Sequence, residues 1–374
     1  MKILHLTHTD IPLDSRIIKE IEALERDGHE LASVGLSEKL VTYEYCGGVS
    51  LGSLSRRLWA PRFLKYFKHL VVYVEFFLRT LFHLRGQRFD VIHCHDTVVL
   101  PLAVFLKKIG SIKALVYDAH ELESDRNGLT PFFCKLIFLT ERALWKWVDH
   151  LIVVSDSIAH WYGTKLGNKP STVILNSPVF HCDSSSTNSG FRSIYNIQDH
   201  ELIFVYVGII GPGRGVDDLL KAFKSITNRC HLVFLGYGEH QDRVQEASKH
   251  YSNIHFHPRV EHSRVVPLIR SADYGICFIE DVSLSDRYCL PNKLFEYLFA
   301  GLPVIGSDLP EIKNLLEKER AGFVSAISQQ ALKELVVKIE RERPVVVIDA
   351  ESIEKYGWSV QAEKLCKIYS EFPE

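Results

Sequence analysis

Apolar residues along this chain fall into short runs separated by longer stretches where they return every three or four positions, and the two rhythms alternate throughout. The run "KILHLTH" predicts a buried strand. In "DSRIIKEIEALERDGHE", Ile17, Ile21 and Leu24 share one helical face, and Gly28 ends the helix before a second strand, "LASVG". Strand, helix and strand at this spacing predict a βαβ unit. The pattern returns in "FDVIHCHD", "PLAVFLKKIG" and "KALVYDAHE", then in "HLIVVSD" and "SIAHWYGTKLG". The first half therefore predicts a parallel sheet with helices on both faces.

The rhythm stops at "PVFHCDSSSTNSGFRSIYNI", whose Ser, Asn and Gly content predicts a linker. It resumes with "LIFVYVG", the helix "VDDLLKAFKSI", and the strands "HLVFLGYG", "IHFHPRV", "YGICFI" and "LPVIGSD". The expected division is a first α/β domain over 1–178, a linker over 179–197, a second α/β domain over 198–350, and a final helix within 351–374 that packs on either domain. Strand-end loops of both domains facing a central cleft would place a ligand there.

A chain of 374 residues exceeds one ordinary core, which agrees with two domains. A net charge of -2 argues against a polyanion-binding surface over the whole molecule, so nucleic acid is not an expected partner. Eight dispersed cysteines without a C-x-x-C pair point to reduced thiols. No apolar run reaches the roughly 18 residues of a membrane span, and Met1-Lys2 leads straight into a strand, so the expected location is cytoplasmic.

The richest candidate for chemistry is "ELIFVYVGIIGPGRGVDDLLKAF". A strand, a turn holding Gly208, Gly211, Gly213 and Gly215, and a helix from Val216 bring unpaired N–H groups together beside Arg214, which suits a diphosphate; a tight turn with an exposed arginine is the alternative. The glycines alternate, so the dinucleotide fingerprint is not met and a dehydrogenase ranks low. In "SDRYCLPNKLFEYLFAGLPVIGSDLPEI", Pro291 opens a helix carrying Asn292, Lys293, Leu294 and Glu296. Lys293 and Glu296 share a face: either they pair, or lysine meets phosphate while the carboxylate accepts from a sugar or ribose diol.

In the first half, His120 follows a strand directly, with Asp118 and Glu121 beside it, and serves either as a proton or hydrogen-bond group or as a structural histidine. His93 and His95 of "VIHCHD" point to one side of their strand but have no further ligand set in the sequence, so no metal is expected. Asp14 and Arg16 stand at the start of a helix, where Arg16 either meets phosphate or decorates the turn. From 54 to 89 eight basic residues oppose Glu75 alone. Arg56, Arg57, Trp59, Arg62, Phe63 and Lys65 mix charge with aromatic surface as an interfacial segment does, so contact with anionic lipid is expected.

Taken in order, "DSRIIKEIEALERDGHEL", "FDVIHCHD", "VYDAHE", the glycine-rich turn, "ADYGICFI" and "PNKLFEYLFAGLPVIGSD" resemble the retaining glycosyltransferases of family 4 over nearly the whole chain. The resemblance implies the GT-B fold of two Rossmann-like domains, a nucleotide-diphosphate sugar in the second and an acceptor in the first. It implies that Arg214 stabilises the leaving diphosphate, that His120 lies near the transferred sugar with Asp118 beside it, and that Glu296 is the second glutamate of E-x7-E, holding the ribose. Tyr288 stands where the first glutamate falls and Ile209 where an arginine is usual, and "PNKLFEY" is similar to the P-S-K-x-x-E-Y subgroup, in which Lys293 assists the phosphate. No metal or other cofactor is implied. The expected donor is a UDP-sugar, and the expected acceptor a lipid-linked glycan at the cytoplasmic face of a bacterial inner membrane. The competing readings are a sugar-nucleotide epimerase of the same shape and a non-catalytic nucleotide-sugar-binding scaffold.

Overall fold

The structure, a computed structural model, describes residues 1–37, 41–43, 48–52, 65–110, 112–179, 190–226 and 229–372. The chain forms two units, Met1–Ile174 with Gln361–Glu374, and Leu175–Val360. Of the stretch read as a linker, 180–189 lies outside the described residues, while 190–197 belongs to the second unit. Phe191 is fully buried there and Arg192 pairs with Asp273 at 2.9 Å. The Ser and Asn of the preceding stretch masked this one short amphipathic turn.

Unit 1 runs β1 (Lys2–Leu6), α1 (Ser15–Arg26), β2 (Glu30–Ser37), β3 (Val41–Tyr43), β4 (Gly48–Gly52), α2 (Lys65–His83), β5 (Val91–His95), α3 (Asp96–Ile109), β6 (Ala114–Asp118), α4 (Pro131–Leu144), β7 (His150–Val153), α5 (Asp156–Leu166) and β8 (Ser171–Val173). Its eight strands lie in the order β3-β4-β2-β1-β5-β6-β7-β8, all parallel except β3. From β1 the chain goes one way to β2 and returns on the other side at β5. The loops after β1 and β5 therefore diverge and leave a crevice at the strand C-termini, where α/β sheets take ligands.

The register sets His5 beside His93 and His95 beside Asp118. These four polar side chains are wholly buried in the middle of an otherwise apolar sheet. Such groups need partners, and two helices supply them: α1 brings Arg16 and Glu20, and the C-terminal helix brings Tyr369, whose hydroxyl lies 2.6 Å from His93 Nδ1.

Unit 2 holds α6 (Phe191–Tyr195), β9 (Leu202–Ile209), α7 (Val216–Lys224), β10 (Cys230–Tyr237), α8 (Gln241–His250), β11 (Ile254–Pro258), α9 (His262–Ile269), β12 (Tyr274–Cys277), α10 (Leu284–Arg287), α11 (Asn292–Phe299), β13 (Val304–Ser307), α12 (Pro310–Lys318), β14 (Gly322–Ser325), α13 (Gln329–Glu342) and α14 (Ala350–Glu354); α15 (Trp358–Ser370) starts here and ends in unit 1. Its sheet is wholly parallel, in the order β11-β10-β9-β12-β13-β14. The direction of winding reverses between β9 and β12, and Tyr297 of α11 is wedged there. Its hydroxyl accepts from Val207 N–H (2.8 Å) and donates to the Ile276 carbonyl (3.0 Å), which fixes α11 to the diverging strands. Among the described residues no helix is long and apolar enough to cross a membrane.

Gly275 makes room for that wedge, since a Cβ there would lie 2.3 Å from Tyr297 Cγ, inside contact distance. Gly275→Ala should destabilise unit 2 by about 1–3 kcal/mol through overpacking. Thermal unfolding reads the effect, and an unchanged midpoint would refute the wedge.

Candidate functional site

In unit 1, Asp14 caps α1 by accepting from the N–H groups of Arg16 (3.1 Å) and Ile17 (3.3 Å), which corrects its reading as a substrate neighbour. Arg16 is 2% exposed, so it neither decorates a turn nor meets a solvent-borne phosphate. Its Nε and Nη2 donate to Asp118 Oδ2 (3.2 Å) and Oδ1 (2.9 Å), its Nη1 donates to the Ile174 carbonyl (3.0 Å), and Glu20 Oε1 lies 2.9 Å from Nε. Buried guanidinium is matched by buried carboxylate.

Asp118 Oδ2 also accepts from His120 Nε2 at 3.1 Å. Burial opposes the ionised form of Asp118, but Arg16 and His120 hold its pKa well below the usual carboxylate range. His95 Nδ1 lies 3.1 Å from His120 Nε2, and His95 Nε2 lies 3.0 Å from His5 Nδ1. Burial lowers the pKa of His5, His93 and His95, that of His93 to about 3, so all three are neutral. His95 is thus an interior link and not a ligand-facing group. Glu121 is half exposed and pairs with Arg126 at 3.3 Å.

His120 stands at the crevice, with Nε2 turned inward and Nδ1 3.7 Å from Asp96 Oδ1. Burial works to lower its pKa, yet Asp96 and Asp118 outweigh it and raise it to about 10. The imidazolium is therefore a charged hydrogen-bond donor near neutral pH and not a general base. Asp96 was missed in the sequence reading. It takes a left-handed backbone, φ +66°, that costs a non-glycine residue about 1 kcal/mol or more and clusters at functional sites. Its carboxylate lies between His8 and His120, with a protonated Glu123 against it, whose pKa burial and the Asp96 charge push well up. The signal was the acid that directly follows the H-x-H strand.

The fold also adds acids to His93 and His95, which the sequence reading left without a ligand set. Among the described residues two groups have donor atoms within 4.8 Å of one another: His5, His93 and His95, and Glu20, His93, His95 and Asp118. Neither fits a metal ion. The three imidazoles are stacked, with interplanar angles of 15°, 24° and 28°, so their in-plane lone pairs run in near-parallel layers and do not converge. Arg16 already claims both carboxylates.

In unit 2 the glycine turn has the expected backbone. Gly208, Gly213 and Gly215 have φ of +111°, +75° and +66°, where only glycine is unstrained, whereas Gly211 has no such need. The turn is clamped from within: Gly215 N–H donates to Glu280 Oε1 (2.9 Å) and the Gly213 carbonyl accepts from Glu280 N–H (3.0 Å). One N–H expected for an anion is therefore spent on a carboxylate of the chain itself. Arg214 is tethered through Nη1 to Asp286 at 3.0 Å. Glu280 lies in the loop after β12 and Asp286 in α10, too far along the chain for local pattern to pair them with the turn.

Lys293, in the first turn of α11, is answered differently. Its ammonium is buried without a hydrogen-bond partner and lies 3.8 Å from the centroid of the Tyr206 ring. Lys293 and Glu296 do not pair; Glu296 lies 3.6 Å from His262 Nδ1. Pro291 is the N-cap, Asn292 starts the helix, and Leu294 is wholly buried with its N–H given to the Pro291 carbonyl, so its side chain is core and not a ligand contact. A separate cavity of about 490 Å³ includes Asp218, Glu280, Asp281 and Asp308 in its lining.

Residues 16–177 match the family described as Glycosyltransferase Family 4, and residues 201–341 match Glycosyl transferases group 1. An uncharacterized glycosyltransferase of Methanocaldococcus jannaschii is 24% identical over 93% of this chain and 91% of its own length. The phosphatidyl-myo-inositol mannosyltransferase of Mycobacterium leprae is 23% identical over 75% of this chain and 73% of its own. Among solved structures, Anabaena HepE in complex with UDP-glucose superposes with a TM-score of 0.73 at 14% identity, covering 100% of both chains. That likeness gives the fold, a GT-B-like pair of Rossmann-like domains.

Burial, then the Asp118 charge, push Glu20 up to about 8. The folded state thus favours protonated Glu20, and its contribution to stability falls as pH rises from about 4.5 to 8. Glu20→Gln should gain stability relative to the parent over that window. Parallel stability curves from pH 5 to 8 would contradict the assignment.

Proposed function

From the premise that the chain is a glycosyltransferase, carrying family 4 and group 1 domains in a GT-B-like fold, we propose that unit 2 holds a nucleotide-diphosphate sugar through Lys293 and Arg214 and passes its glycosyl group to an acceptor hydroxyl held by unit 1, with anomeric configuration retained. The observation that carries this reading is the buried ammonium of Lys293, which has no hydrogen-bond partner among the described residues. Leaving it unanswered costs free energy that a phosphate repays. A UDP-sugar is the favoured donor, in keeping with the UDP-glucose in Anabaena HepE.

As the glycosidic C–O bond breaks, negative charge grows on the diphosphate and positive character on the anomeric carbon. Lys293 and Arg214 stabilise the former more strongly as the charge develops. Glu296 accepts from the ribose diol. His120, as an imidazolium, donates from its crevice edge to a hydroxyl of the transferred sugar. The acceptor hydroxyl attacks the face the diphosphate leaves, and a departing phosphate oxygen takes its proton.

A lipid-linked acceptor at a membrane surface fits unit 1. On α2, Leu70, Val74, Leu78 and Phe82 are exposed at four-residue spacing, a solvent-facing apolar stripe. A cleft of about 520 Å³ beside it is lined by Leu51, Leu78, Arg79, Phe82 and His83, combining apolar wall with basic edge. Lys65 opens the helix, while Arg56, Arg57, Trp59, Arg62 and Phe63 lie outside the described residues. The Mycobacterium leprae relative is by its name a transferase to a phosphatidylinositol lipid.

Lys293→Met should lower turnover about 10²–10³-fold, the scale of losing one group that stabilises developing charge. Arg214→Ala should lower it less, because Asp286 already shares its charge. A screen of UDP- and GDP-sugars with membrane-extracted acceptors measures both, and unchanged turnover in Lys293→Met would overturn the donor site. Flotation on vesicles with anionic lipid should be lost when Arg56, Arg57, Arg62 and Lys65 are neutralised together. Equal flotation would remove the membrane role from that segment.

A further inference from the structure

We propose that Arg16 is a positioning residue for sugar transfer: from inside the fold it grips both oxygens of Asp118 and thereby fixes the orientation of His120. The inference rests on the placement of His120 beside the transferred sugar given above.

Arg16 and Asp118 are 102 residues apart in sequence and meet because the first turn of α1 points the Arg16 side chain at the C-terminal end of β6. The fork geometry matters. Nε and Nη2 reach different oxygens of one carboxylate, so Asp118 can neither rotate nor slide, and the oxygen bonded by Nε is the one that accepts from His120 Nε2. Nη1 is tied to the Ile174 carbonyl just past β8, so the guanidinium is itself fixed at three points. His120 therefore meets the crevice with one ring edge locked inward and the Nδ1 edge outward toward Asp96.

Every other group against this network is neutral or already committed. His5 and His95 form the inward continuation of the imidazole chain. His93 is held by the Tyr369 hydroxyl, with its Nε2 3.6 Å from both Glu20 Oε2 and Asp118 Oδ2. Glu20, protonated near neutrality, adds no second full charge to compete for Arg16. From its buried place in the crevice-lining network, Arg16 reaches His120 through Asp118 Oδ2, while its Nε also lies 2.9 Å from Glu20 Oε1 and its Nη1 is held by the Ile174 carbonyl.

The test is Arg16→Lys, which keeps the charge and loses the fork, alone and combined with His120→Ala in the full chain. The thermal unfolding midpoint of the full chain controls for an intact fold. Arg16→Lys should lower kcat about 10- to 100-fold with donor KM changed less than about threefold, the scale of a small misplacement of a reacting-site group. The His120 ring signals in NMR should titrate at a lower pH than in the parent. In the His120→Ala background the same substitution should have no further effect, because both act through one ring. Wild-type kcat in Arg16→Lys overturns the proposal, and so does an additive loss in the double variant, which would mark a merely structural role. Should Arg16→Lys fail to fold, Asp118→Asn must show the same loss of kcat and the same non-additivity with His120→Ala, or the proposal falls. Full activity in His120→Ala alone would remove the placement of His120, and this inference with it.

Discussion

A guanidinium sealed from water must be answered by carboxylate, and in unit 1 that requirement joins the parts of the crevice. Arg16 cannot be neutralised near any physiological pH, and breaking a buried pair of this kind costs about 3–5 kcal/mol. Satisfying it ties the start of α1 to the end of β6, holds Asp118 ionised within an apolar sheet, and leaves that anion to polarise the imidazoles around it. The outermost of these, His120, takes the charge because Asp96 approaches it from the other side. The inner three stay neutral and stack.

Unit 2 treats a buried cation in the opposite way. Lys293 has an aromatic face and, among the described residues, no hydrogen-bond partner, and the wedge of Tyr297 between β9 and β12 keeps the helix that carries it from relaxing away. Paired charge in one unit builds a rigid platform, whereas in the other a buried cation rests against an aromatic ring. The glycine turn lies between these cases. Glu280 and Asp286 already hold it, which shapes the turn from within.

Local pattern made much of this legible. Strands such as "VIHCH" and "LIFVYVG" are short apolar runs, the α1 face of Ile17, Ile21 and Leu24 is periodic, and each is set by residues within a few positions of one another. The glycines at 208, 213 and 215 were readable for the same reason, since a positive φ is a demand of the local backbone. Asp14 was placed at a helix start, and its role as the cap of that helix shows only once the N–H groups it accepts from are located. The short helix at Phe191–Tyr195 was hidden by the Ser- and Asn-rich stretch before it.

The sequence by itself determined the alternation of strand and helix, the two α/β halves, and which side chains stand at strand ends. It did so because backbone propensity and apolar periodicity are short-range. Only the tertiary structure decided whether Arg16 faced water or Asp118, that Glu20 joined two histidines more than 70 positions away, that Glu280 occupied the Gly215 N–H, and that Lys293 went without a partner. Charge pairing and burial depend on distance in space and on the exclusion of water. Neither exists until strands far apart in the chain lie side by side.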